Sequence, residues 1–384
     1  MIKSFTDTGT DFEELIVYEF FKNFALSMLG IFIPILIYSE TGNLMMPALY
    51  LIGKGLTGFV AAFPIMKLIN KYGFRSGLYT SYLFLLPAIL LIYFLNPGIY
   101  VTLTVAFLYS IGAALHVESM NLEFVEDSSR EEREVEAAHL MSIPNTGRLL
   151  GPVVGGIASA FGGFQTMLAV AFVSVAISVI PAGSITVKKE TADLRWRSLL
   201  NREYLKFSPI FVSRGIQAYA SVAVFSLFTY IFIAGSISSG LVRSFDTVGF
   251  MVMAYLSGYI SSKYSRSKII LTGAFLAGII YLLRIAVSSP SEAFLVSIAG
   301  GLAFKLYDIP LFSKYADGAE DNEVRSFYAS KKMFNSIGKI IAASIFTVAF
   351  MVSTERMAFN AVFVLAGLSV LIMMAGNRIS GEKK

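Results

Sequence analysis

The 384-residue chain contains no cysteine, which excludes disulfides and thiolate metal sites and leaves the redox compartment unmarked. Histidine is nearly absent too. His116 and His139 are the only two, too few for a histidine-rich metal centre. Charge is also scarce, at 15% Asp, Glu, Lys and Arg against about 25% in soluble domains. No nucleophile–base signature occurs, so the sequence points away from an enzyme. Gly53-Lys54-Gly55 lacks the spacing and the hydroxyl of a phosphate-binding loop, and no cofactor is expected. The first fourteen residues carry Asp7, Asp11, Glu13 and Glu14, the opposite of a basic leader, so no cleaved signal is expected.

What the chain does have is apolar surface. Hydrophobic residues make up 55% of it, and the mean hydropathy is +0.68. A soluble protein of this size could not cover its surface with the polar groups available, whereas lipid accepts apolar side chains facing outward. The backbone must then satisfy its own hydrogen bonds, in helices or in a closed barrel. Apolar runs near 20 residues without alternation favour helices. They fall near 15–38, 44–66, 77–95, 99–118, 137–160 and 164–186. A second set falls near 206–234, 238–261, 268–288, 292–313, 329–352 and 357–377. The fold class expected is an all-α polytopic membrane protein with twelve spans. Its divisions are an N-terminal bundle over 1–186, a connector over 187–205 and a C-terminal bundle over 206–384. Aromatics, 14% of the chain, read as packing and lipid-facing surface; no nucleic-acid partner is expected.

Lys and Arg gather in the connectors after even-numbered spans, among them Lys67, Lys71, Arg75, Arg130, Lys188, Arg197, Lys263, Arg266 and Lys314. The positive-inside rule then puts both termini and the 187–205 connector in the cytoplasm of a plasma-membrane protein. Arg356 is the exception on the other side, and Arg243 and Arg284 lie just inside their spans. In the connector, leucines recur among Arg195, Arg197 and Arg202 beside Trp196, the only tryptophan, predicting a short interfacial helix. The acidic stretch from Glu126 to Glu134 reads as a solvated helix start facing Lys71 and Arg75.

The halves echo each other at an offset of 190–192 residues. Asn70-Lys71-Tyr72-Gly73-Phe74-Arg75 corresponds to Ser262-Lys263-Tyr264-Ser265-Arg266-Ser267, and Gly147-Arg148 to Gly338-Lys339. With six-plus-six spans, these loops and the run Gly147-x3-Gly151-Pro152-x2-Gly155-Gly156, the sequence resembles the major facilitator superfamily over nearly its whole length. The span-five run is similar to that of the family's drug–proton antiporters. The resemblance implies alternating access, a monomer, and a gating role for Lys71, Arg75, Lys263, Arg266, Gly147, Gly151, Pro152, Gly155 and Gly156. The glycines equally suit plain helix packing. Two positions depart from the family pattern. Asn70 stands where its loop motif has aspartate, and Leu108 where the antiporter motif of span four has arginine.

Ionisable groups inside a span cost about 2.5–3.5 kcal/mol each on insertion scales, so each needs a reason. Glu19/Lys22, Arg243/Asp246 and Lys305/Asp308 are spaced i, i+3, where neutralisation on one helix face is expected. Lys54, Arg148, Arg214 and Lys339 have no such partner and are the candidate substrate-binding residues. Lys22 corresponds to Arg214 and Arg148 to Lys339, so basic groups recur at matching depth. A cavity lined this way attracts anions. The structural alternative pairs Lys54 with Asp246 and Arg148 with Glu118. Candidate proton-coupling residues are Glu118, His116 and Asp308. The function expected is secondary transport of a small organic anion, coupled to protons. Alternatives are a proton-coupled drug exporter and a non-transporting receptor or scaffold on the same fold.

Overall fold

The computed structural model describes residues 9–127, 144–182, 194–320 and 324–379. The acidic stretch 128–134, the start of span five, His139 and the front of the connector lie outside the described residues. Four helices come first: α1 Gly9–Thr41, α2 Met45–Tyr72, α3 Phe74–Phe94 and α4 Ile99–Asp127. Then follow α5 Pro144–Ile177, its short continuation α6 Val179–Ala182 and a single turn, α7 Arg202–Leu205. α8 Ser208–Tyr219 runs through a π turn, Ala220–Val224, into α9 Phe225–Thr229 and a second π turn, Tyr230–Ala234. The rest are α10 Gly235–Lys263, α11 Arg266–Leu283, α12 Pro290–Glu320, α13 Val324–Val352 and α14 Glu355–Ile379. The described residues form no strand.

Among the described residues, ten stretches are long and apolar enough to cross a membrane. Two of these exceed a bilayer. Residues Asn145–Ala182 number 38 and Ser208–Ser257 number 50, about 57 and 75 Å if straight, against about 30 Å of hydrocarbon. Each bends back at a glycine with positive φ, Gly163 (76°) and Gly235 (68°), a conformation that costs other residues the clash of a Cβ. Ser239 Oγ donates to the Ser226 carbonyl at 3.1 Å, although 13 residues of straight helix would separate them by about 20 Å. In the earlier stretch, Gly147 and Gly151 abut Phe20 and Phe24 of α1. Between those residues Lys22 meets the Tyr82 ring at 3.5 Å, and Tyr82 bonds Ser178 at 3.0 Å. A straight helix would carry Ser178 about 40 Å past Gly151. The chain therefore reverses at both glycines.

The span-five glycines are close-packing positions. A Cβ on Gly147 or Gly151 would strike the carbonyls of Phe20 and Phe24, and one on Gly155 would meet Met28 at 2.6 Å. Gly156 faces Ser236 and Ile237, and the Pro152 carbonyl lies against Gly240 of α10. The echo holds in the second half, where Gly215 of α8 faces the Asn335 carbonyl and Gly338 of α13 faces that of Val212. Away from the interior, Leu83, Phe94, Tyr100, Phe161, Ile180 and Tyr255 are exposed, as lipid-facing residues are.

Short connectors follow local chemistry. Met45 N donates to Asn43 Oδ1 at 2.8 Å, and Glu292 reaches back to Ser288 N at 2.8 Å ahead of α12; both occupy backbone donors that a helix start leaves open. Of the connector, residues 194–205 are described, and they hold one 3₁₀ turn, Trp196–Leu200, and the α7 turn, with Asn201 between them. Trp196 packs on Phe63 at 4.7 Å and Leu199 is buried, so tertiary contacts replace a continuous amphipathic face.

Candidate functional site: a charged central cavity

The two halves meet most visibly at the end away from the termini. Tyr38 stacks edge-on with Tyr230 at 6.5 Å, Gly156 abuts Ser236, and Tyr219 donates to the Leu51 carbonyl at 2.9 Å. Beneath these contacts lies a cavity of about 550 Å³. Its wall contains all four candidate substrate residues, Lys54, Arg148, Arg214 and Lys339, together with His116, Glu118 and Asp308. It also contains Glu19, Arg243, Asp246, Arg284, Lys305, Lys331 and Lys332. Nine cationic side chains thus face four carboxylates.

On the first-half side, α1 presents Tyr18, Glu19, Lys22 and Asn23 within about one turn. Tyr18 bonds His116 Nδ1 at 2.7 Å, and His116 Nε2 stands 3.6 Å from Glu19. Glu19 accepts from Asn23 at 2.7 Å, and Asn23 Oδ1 accepts from Arg148 Nε at 2.8 Å. A polar chain therefore runs from α4 across α1 to α5. The i, i+3 pair expected between Glu19 and Lys22 does not form. Lys22, fully buried, donates to Ser81 at 2.9 Å, because the α1 surface it occupies faces α3.

On the second-half side the expected i, i+3 pairs do form, Arg243 with Asp246 and Lys305 with Asp308 at 2.8 Å. Arg214 reaches Asp308 from α8 as well, a partner no spacing within its own helix could reveal. Neither alternative pairing occurs. Asp246 is taken by Arg243, and Glu118 faces Asn121 at 3.3 Å and Lys332 at 3.8 Å.

Lys54 and Lys339 are brought together by packing. Gly55 of α2 lies against Ile340 of α13, so the residues beside them meet at the cavity wall. Lys54 sits over the rings of Tyr109 (4.5 Å) and Tyr50 (5.2 Å), and Lys339 over Tyr219 at 5.8 Å. Together with Lys332 they are close enough to repel one another, which favours an anion between them. The candidate gating cations stand elsewhere, at the termini-bearing end. Lys71 lies over Tyr72, Arg75 over Tyr79, Lys263 bonds Tyr259, and Arg266 opens α11.

Sequence reasoning missed Glu19, Arg243, Arg284, Lys331 and Lys332 as cavity residues. Glu19 and Arg243 were absorbed into expected pairs, and Arg284 into a helix end. Their common signal was charge within or beside an apolar run.

Apolar helices around a charged central cavity define a multi-pass membrane transporter. The chain belongs to the Major Facilitator Superfamily, whose family profile matches residues 15–343. No curated protein matches it in sequence. Among solved structures it is similar to the E. coli fucose:proton symporter FucP, with a TM-score of 0.65 and 11% identity, over 98% of this chain and 100% of that one. It is also similar to a bacterial homologue of the human drug peptide transporters, with a TM-score of 0.72 and 10% identity, over 96% and 97%. A POT family transporter in complex with a thioalcohol-conjugated peptide aligns with a TM-score of 0.73 and 11% identity, over 94% and 95%. At these identities the likeness shows the fold alone.

Proposed function

We propose that this protein moves a small organic anion across the plasma membrane by alternating access, coupled to protons. The observation that carries the anion reading is the excess of nine cations over four carboxylates in one cavity wall. Two of the ten apolar stretches double back, which makes twelve crossings. They form a six-helix bundle over 1–186, a connector over 187–205 and a second bundle over 206–384, with both termini cytoplasmic by the positive-inside rule. With the far end closed by the Tyr38–Tyr230 and Gly156–Ser236 contacts, the cavity faces the cytoplasm. Opening the other way requires those contacts to part while the bundles rock. The glycines flanking Pro152 let α5 slide on α1 and α10 during that motion, and Lys71, Arg75, Lys263 and Arg266 latch the cytoplasmic end. The protein works as a monomer.

Substrate contacts fall to Lys54, Arg148, Arg214 and Lys339. Proton coupling falls to His116 with Glu118 and, on the geometry above, Glu19. Asp308 bridges Arg214 and Lys305 and serves as their fixed counter-ion. A fucose:proton symporter of this fold makes proton coupling a natural expectation.

The test is thermal unfolding of the detergent-purified protein against matched anionic, cationic and neutral solutes, followed by flux in liposomes. A ligand preferring the folded state raises its apparent stability. Stabilisation by anions, lost in Arg148→Gln and Lys339→Gln, is the expected result. Stabilisation only by lipophilic cations, indifferent to those changes, would sink the anion reading and favour a drug exporter, to which the α5 glycine–proline run also lends itself. Binding without flux would favour a receptor.

A further inference from the structure

Arg284 sits at the end of α11, 2% exposed, deep in the wall of the cavity. Its Nη1 is committed, donating to Ser221 Oγ at 3.1 Å and to the Ala220 carbonyl at 3.5 Å. Both acceptors belong to the π turn Ala220–Val224, where the Ala220 carbonyl also accepts the Phe225 N–H. The planar group lies near the rings of Phe225 (4.4 Å) and Tyr281 (4.8 Å), which fix its orientation.

The opposite edge of the guanidinium is different. Nε is buried and has no hydrogen-bond partner, and no acceptor within the described residues takes Nη2. Asp246, the nearest acid, is engaged by Arg243 through Oδ2. An unpaired buried donor costs about 1–3 kcal/mol, more when charged, and persists where it has a use. Gly300 of α12 lies directly beside this edge and leaves it uncovered by a side chain. A Cβ on Gly300 would lie 3.3 Å from Arg284 Nη2 and 3.8 Å from Asp246 Oδ1. Gly301 next to it is needed for packing, because a Cβ there would strike the Asp246 carbonyl; Gly300 meets no backbone within that range.

We propose that the Nε–Nη2 edge of Arg284 is the anchoring subsite for a carboxylate of the transported solute, seated over Gly300 at the closed end of the cavity. This rests on the anion reading above and adds to it the group recognised and where it sits. Two parallel N–H donors on a rigid plane match the two oxygens of a carboxylate. Arg243 and Arg284 against Asp246 leave one positive charge over, which a monoanionic carboxylate neutralises.

The experiment is thermal unfolding of the full-length detergent-purified protein, titrated with lactate and lactamide, benzoate and benzamide, succinate and succinamide. In the unaltered protein the acids stabilise and their amides do not. Arg284→Gln weakens the response about ten- to hundredfold, the loss of charged hydrogen bonds. Arg284→Lys keeps the charge and the fold but loses the planar edge, and falls nearly as far. Gly300→Ala places a methyl group against Nη2 and weakens binding of the acids. If Arg284→Lys and Gly300→Ala both bind the acids as the unaltered protein does, the subsite is wrong. Should Lys54→Gln or Lys339→Gln still abolish binding in that case, the anion reading survives without it. If no acid stabilises even the unaltered protein, both fall together.

Discussion

Lys22 and Arg214 occupy matching positions in the two halves, yet the structure surrounds them differently. Lys22 is buried and makes its direct contacts with neutral groups, the Ser81 hydroxyl and the Tyr82 ring. Arg214 opens onto the cavity and shares Asp308 with Lys305. The first half therefore lines the cavity through a neutral-bridged chain, Tyr18–His116–Glu19–Asn23–Arg148, and the second through direct ion pairs. An inherited position sets the depth of a charge in the membrane. Its neighbours decide whether that charge is structural, exchangeable or available to a solute.

The largest effect that can test this contrast is expected on the second-half side. Asp308→Asn leaves Arg214 and Lys305 buried together without their shared acid, and should cost about 3–5 kcal/mol of stability. A detergent unfolding midpoint unchanged by that substitution would break the comparison. Next comes Glu19→Gln. It removes the only carboxylate of the first-half chain and should abolish the dependence of liposome flux on an imposed proton gradient while leaving counterflow of solute measurable. Retained gradient dependence, lost instead in Glu118→Gln, would move coupling to α4. A smaller effect is predicted for Lys22→Met, which swaps a charge with neutral partners for an apolar chain of similar length. The unfolding midpoint should stay the same or rise, and a fall matching that of Asp308→Asn would show an electrostatic role for Lys22. Smallest is Tyr82→Phe, which loses the bond to Ser178 but keeps the ring over Lys22, at about 1 kcal/mol. A loss several times larger would mean that the fold-back at Gly163 depends on that bond.

Much of the fold was legible from the chain. Apolar runs marked helices α1 to α4 and α11 to α14, though several helices extend well past the apolar run at one end, as α4 does to Asp127 and α12 to Glu320, because a bilayer leaves the backbone little choice within it. Both fold-back points also fell between predicted runs, at Gly163 and Gly235, where only a glycine's backbone turns easily. The candidate site was legible in part. Lys54, Arg148, Arg214 and Lys339 were conspicuous because each lacked an acid within its own helix, and all four line one cavity. Glu19 looked neutralised by Lys22 because spacing reports which residues share a helix face. It does not report that Ser81 of α3 comes within reach of Lys22. Arg284 looked like a helix-end cation because nothing in its own segment announces a π turn 60 residues earlier.

By itself the sequence determined that this protein lives in a bilayer as a bundle of helices, that its halves echo each other, and that cations lie within its spans. Those properties follow from the cost of exposing polar backbone and charge to hydrocarbon, and that cost is local to each segment. Only the tertiary structure decided which charges meet. Asp308 with Arg214, His116 with Glu19, and Arg148 with Asn23 join residues from separate helices. Their partnership depends on how glycine faces let those helices approach, and no single segment carries that information.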